Sequence, residues 1–209
     1  MIDRLTGADG SLYIAQFGTT LTSGTAASGM AYKIVSISGT GTFPAGYQVG
    51  DVWYGDGIKT FSATNSAAPA TFTLVMDCSS FELNFAADEI AVTVLADNVK
   101  KYRRGKIDMS GSISGINFIS EMRKVGSFVN KFIRTVNITS GVINALDTSP
   151  IYGKFYLQDD TSSGQTEVFL LAQIELYGYR LGAAIADVQS YTSNIRVIGN
   201  DPILYFKDN

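Results

Sequence analysis

From Lys106 to Ile116 the chain alternates with a period of two. Lys106, Asp108, Ser110, Ser112 and Ser114 point one way, while the apolar Ile107, Met109, Ile113 and Ile116 are spaced mostly by two, the first three pointing the other way. A helix does not sort residues at that period, so the run dictates a long strand with one apolar and one polar face. Serines at successive outward positions exclude burial of both faces, because a buried hydroxyl without a partner costs roughly 1–3 kcal/mol. The strand therefore belongs to a sheet wetted on one side. Ahead of it, Ile90, Val92 and Val94 alternate with Ala91, Thr93 and Leu95, and a polar bend follows at Asp97-Asn98. A basic knot comes next: Lys100, Lys101, Arg103, Arg104 and Lys106, interrupted by Tyr102 and Gly105.

The knot dominates the charge pattern. The 209 residues carry a formal net charge of −3, and without these five cations 11 basic residues face 19 acidic ones, a balance of −8. One positive promontory on an acidic body does not suit a protein that wraps duplex nucleic acid, whose affinity comes from broad phosphate neutralisation. With 11% aromatic and 17% charged residues, 21 glycines and 4 prolines, the composition favours sheets and turns around one sizeable core.

Chemistry is hard to find. The absence of histidine removes Ser-His-Asp and Cys-His sites and His-ligated metals. Cys78 is the one cysteine, so neither an intrachain disulfide nor a cysteine zinc cluster can form, and beside Met76 and Phe81 it reads as a small buried thiol. Gly55-Asp56-Gly57-Ile58-Lys59-Thr60 lacks the upstream glycine and following helix of a phosphate-binding loop. Asp88-Glu89 and Asp159-Asp160 sit at expected turns, where Asp binds nearby backbone. No enzyme, cofactor or metal is expected. Neither a signal-like start nor an apolar run near the ~18–20 residues of a membrane span is present, so a soluble protein without a membrane anchor is expected.

Along the chain, Ser11–Phe17 predicts a first strand and Gly18–Gly29 a flexible loop. Tyr32–Ser38 predicts a strand, and Val52–Tyr54 with Ile58–Phe61 a hairpin about Asp56-Gly57. Asn65–Ala70 reads as a loop and Thr71–Asp77 as a strand. Residues 30–80 are thus expected to form an inserted all-β hairpin lobe, with residues 1–29 and 81–209 making the main domain. Val125, Phe128, Val129, Phe132, Ile133 and Val136 form a helical apolar stripe behind a Ser120 cap. Asn144–Pro150 reads as a loop. Ile151–Gln158 and Val168–Gly178 read as a hairpin about Asp159–Gly164, Leu181–Ala186 as a bend, and Val188–Ile198 as the last long strand.

The run VTVLADNVKKYRRGKIDMSGSISG, residues 92–115, resembles the centre of the major tail tube proteins of long-tailed bacteriophages. There a "vT-L-D" strand leads through "k-y-G" into a long strand carrying "d-sGs". ADVQSYTSNIRVIGNDPILY, from Ala186 to Tyr205, is similar to that family's last strand and its closing "G-P". The resemblance implies a mainly β fold: a tail-tube-type β-sandwich or barrel with one packed α-helix and an inserted β-hairpin lobe. It implies a structural virion protein, assembled in the host cytoplasm into stacked rings, commonly of six copies, around the channel for the genome. Its partners would be itself and other tail proteins such as tape measure, terminator and tail tip, with only transient, non-specific DNA contact.

On that reading Asp108, Ser110, Ser112, Ser114, Gln173, Glu175, Thr192 and Asn194 are candidates for the lumen wall, since hydroxyls and carboxylates do not hold phosphate. Lys106 and Arg196 run against that assignment unless they are paired or displaced. Lys100, Lys101, Tyr102, Arg103 and Arg104 are candidates for contacts between subunits; a solvated surface or a nucleic-acid patch are the other readings of the knot. Two alternatives belong to other classes of role. One is a monomeric β-sandwich adhesin, binding glycans through Tyr47, Trp53 and Tyr54; the other is the tube of a contractile injection or secretion system.

Overall fold

The computed structural model describes residues 11–38, 43–75, 78–91, 102–116, 131–136, 138–141, 143–158, 166–182 and 190–208. In chain order the strands are β1 (Leu12–Phe17), β2 (Ala31–Ser36), β3 (Val52–Tyr54), β4 (Ser66–Leu74), β5 (Cys78–Ala91) and β6 (Tyr102–Ile116). They continue with β7 (Thr135–Val136), β8 (Ile143–Asn144), β9 (Ile151–Gln158), β10 (Thr166–Gly182), β11 (Ser190–Val197) and β12 (Ile203–Asp208). Ten of them are hydrogen-bonded into one sheet and β7–β8 form a separate ribbon. Every pairing with a described register is antiparallel. The protein is mainly β, as the alternating runs require.

By internal contacts the chain divides into two compact units. The first contains residues up to Met76, Ser149–Ile174 and Ile198–Asn209; the second contains Asp77–Thr148 and Glu175–Val197. Strand β10 is common to both, changing unit between Ile174 and Glu175.

In the first unit the strand order is β3-β2-β4-β1-β9-β10, with β12 also on β10. Its core is aromatic. Tyr152, Tyr156, Phe169 and Leu171 pack with Tyr13, Phe17, Tyr54, Phe72 and Tyr205, and a neighbouring cluster gathers Tyr32, Ile34, Trp53 and Phe61. Lys154 is buried among these rings, its Nζ 3.9 Å from the Phe169 centroid and 4.5 Å from that of Tyr156. Rings attract a cation at such distances through their negative faces. The first and last strands of the path touch: Tyr54 of β3 lies 5.9 Å from Phe169 of β10, and the Tyr205 hydroxyl donates to the Val52 carbonyl.

The structure corrects several expectations. Residues 18–29 are not a free loop, for Leu21 bridges Ala67, Thr25 bridges Thr60, and Ala26 is fully buried. The hairpin expected over 52–61 does not form, because β3 pairs with β2 instead. Asp56 turns the chain by accepting the amides of Ile58 and Lys59 at 2.9 and 2.8 Å, bonds that hold its carboxyl below the usual range. Ser66–Ala70, expected as loop, is strand: β4 lies between β2 and β1, and so ties β2 and β3 to β1 in one sheet. The helix expected through Val136 does not reach it, since Thr135–Val136 pair with Ile143–Asn144 as strand; its residues 120–130 lie outside those described, as does the turn 159–164. Cys78 is half-buried, with its thiol 3.5 Å from the Ser80 carbonyl.

Candidate functional site

The second unit carries the strand that most constrained the sequence. Strand β6 lies between β5 and β11, and the register sets their side chains in rows. Ser114 stands between Ser80 and Thr192, Ser112 between Glu82 and Asn194, and Ser110 between Asn84 and Arg196. Asp108 lies opposite Ala86. The β5 and β11 members of these rows, and Asp108, are exposed; the serines of the central strand are half-buried by their neighbours. The alternate positions are closed: Met109, Ile113, Tyr191 and Ile195 are at most 3% exposed. The period of two thus separates a dry face from a hydroxyl-rich one.

Three details fix this part of the sheet. Ser80 and Ser114 share a hydrogen bond of 2.6 Å. Arg196 Nε lies 3.4 Å from Asp108 Oδ1, so the cation at odds with a wall of hydroxyls and carboxylates is paired on the surface. Gly111 lets β5 and β6 approach so closely that an added Cβ would lie 2.0 Å from the Glu82 carbonyl oxygen.

Strand β10 continues the face beyond β11. A Cβ added at Gly178 would lie 3.1 Å from Asn194 Nδ2, and one added at Gly182 3.3 Å from Ser190 Oγ. Gly178, Arg180 and Gly182 therefore share the side of Asn194 and Ser190, whereas Tyr179 stacks on buried Tyr191 at 5.8 Å. Before Gly178 the parity is the reverse, with Leu176 buried and Glu175 and Tyr177 exposed. The positive φ of Gly178, 65°, marks the residue where the alternation slips by one, as in a β-bulge.

Of the residues singled out in the sequence, Asp108, Ser110, Ser112, Ser114, Thr192 and Asn194 are brought together, and Glu175 is exposed in the same unit. Gln173 belongs to the other unit, where it accepts the Tyr152 hydroxyl at 3.2 Å. Beside it, a cleft lined by Asp51, Tyr152 and Asn200 encloses about 20 Å³, space for a water-sized particle. Lys100 and Lys101 lie outside the described residues. Tyr102, Arg103 and Arg104 pair in register with Ala91, Ile90 and Glu89, so the knot begins opposite an acidic strand of its own chain. Sequence reasoning missed the β5 members, Ser80, Glu82 and Asn84. Their signal was present: Phe81, Leu83 and Phe85 alternate with Glu82 and Asn84.

The residues proposed for sugar stacking are packed differently. Trp53 is 4% exposed, with Tyr32 6.1 Å and Phe43 5.3 Å away, so no ring face is open to a ligand. Burial, and less so Glu167, raises the Tyr54 pKa; burial and the bond to Tyr47 raise that of Tyr205. Among the described residues no group of three or more Cys, Asp or Glu side chains could hold a metal ion, and no helix is long and apolar enough to cross a membrane. Neither a protein-family model nor a curated protein matches the chain.

Proposed function

We propose that this chain is a tube-forming structural subunit, the tail tube protein of a long-tailed bacteriophage, with a sandwich- or barrel-like body and no catalytic role. The observation that carries the reading is the four-stranded part of the sheet made by the second half of β10 with β11, β6 and β5. One side is closed to water apart from Phe85 at its outer border, and the other is lined by hydroxyls and amides together with Glu82, Arg180 and the paired Asp108 and Arg196. Its outermost strand, β5, has 14 residues and, among those described, pairs only with β6. Free edges of that length are normally covered, because they template pairing with another chain. Sister copies completing the sheet would cover it, and a head-to-tail contact that closes gives a ring with both rims free to stack.

The hydroxyl face then lines the bore. Serine, threonine and asparagine carry no charge that could displace the cations condensed on DNA phosphates, so DNA slides without being held. The tape measure, terminator and tail tip proteins are the expected partners at the ends of the tube, and the virion tail its location. Electron microscopy of the concentrated, purified protein tests this. Rings or hollow filaments are expected; particles that stay monomeric at high concentration sink the proposal.

A further inference from the structure

Among the described residues the second unit's sheet has two borders that pair with no further strand, and they differ in charge. Among the described residues Glu175–Gly182 of β10 pairs only with β11, since β9 meets β10 over residues 168–174 and β12 over 166–171. At the opposite border β5 pairs only with β6. The exposed acids of β5 are Glu82, Asp88 and Glu89, and its described side chains include no cation. The β10 edge carries one exposed acid, Glu175 at its start, and one exposed cation, Arg180, which lies on the hydroxyl face as established by its neighbours Gly178 and Gly182.

Strand direction selects the partner. β10 runs against β11, as the approaches of Gly178 to Asn194 and of Gly182 to Ser190 require, and β11 and β5 each run against β6. Four strands of alternating direction leave borders that run oppositely. A rotated copy therefore brings its β10 edge to this β5 edge antiparallel, the sense of every described pairing in the sheet.

We infer that the occupant of the β5 edge is the Glu175–Gly182 edge of a second copy, and that Arg180 of one copy against Glu82 of the next sets the register. This rests on the tube reading and names its lateral contact. Glu82 is the partner because it is the carboxylate of β5 on the hydroxyl face ahead of the register shift between Ala87 and Glu89. In the ladder Arg180 lies across from Thr192, in the row that ends at Ser80, so a stagger of one row between copies brings it to Glu82. Opposite charges at such a rim contribute more to alignment and to rejecting wrong registers than to raw affinity.

The test is a charge exchange in the full chain. Arg180→Glu and Glu82→Arg should each raise the concentration needed for tubes about tenfold, while the double variant returns it to within about threefold of the wild type. Sedimentation and electron microscopy read assembly, and thermal melting checks that each variant is folded. Wild-type tubes with single variants that assemble unchanged, or a folded double variant no better than the singles, overturn this pairing and leave the tube reading standing. A wild-type chain that never assembles overturns both.

Discussion

Replacing Gly111 by alanine should separate β5 from β6. The added methyl group would sit 2.0 Å from the Glu82 carbonyl oxygen and 3.3 Å from the Leu83 Cα, and backbone atoms inside a ladder cannot move aside as a flexible side chain does. Overpacking in an interior usually costs about 1–3 kcal/mol, and more where only main chain can give way. The expected loss is therefore about 3 kcal/mol or more, read as a lower urea midpoint. Because β5 is a border strand, much of this should appear as lost amide protection along Phe81–Phe85, with β9 protected as before. Ser112→Ala, on the opposite face of the same strand, should stay within about 0.5 kcal/mol of the wild type. On the proposed function Gly111→Ala also abolishes tubes, since it distorts the edge offered to the next copy. A variant with wild-type midpoint and exchange would show that the close approach is not required.

The long strands were legible because large apolar side chains alternate with polar ones. Tyr191 and Ile195 against Thr192 and Asn194 foretold β11, and Met109 and Ile113 against the serines foretold β6. Where that contrast in size is missing the strand is silent. Ser66–Ala70 is built of alanine, serine and Pro69, which suits a strand packed on both flanks but reads as loop by composition. The pinning of residues 18–29 is likewise invisible, for Leu21 and Gly18 are held by main-chain bonds to Ala67 and Pro69 that no side chain announces. For β3, sequence proximity favoured Ile58–Phe61 as its partner; the tertiary pairing with β2 won because Tyr32 and Trp53 bury together in the same small core. The hydroxyl face itself could be drawn from the sequence, but its rows could not. They depend on the register with β5 and on the slip at Gly178, and a shift of one residue moves every side chain to the other face.

Alkali should weaken the first unit through two tyrosines. Tyr54 and Tyr205 are raised above the ordinary tyrosine value mainly because burial disfavours the phenolate. A raised acid of this kind leaves stability intact below the unfolded value near pH 10, and stability falls as the pH climbs from there toward the folded value. Over that window the buried Tyr54 contributes a slope of about −1.4 kcal/mol per pH unit, and Tyr205 adds to it in the same direction. The two differ in what they hold. Tyr205 donates to the Val52 carbonyl and lies 3.4 Å from the Tyr47 hydroxyl, so Tyr205→Phe should cost roughly 1 kcal/mol already at pH 7. The Tyr54 hydroxyl is buried without a hydrogen-bond partner among the described residues, so Tyr54→Phe should be neutral or slightly stabilising at pH 7. It should also flatten the decline above pH 10, because one of the two protons held only by the folded state is gone. Urea midpoints at pH 9, 10 and 11 compare the variants. A wild-type midpoint that does not fall across that range, or a Tyr54→Phe protein that falls as steeply as the wild type, would mean that the ring cluster around Phe169 opens to water before its phenols ionise.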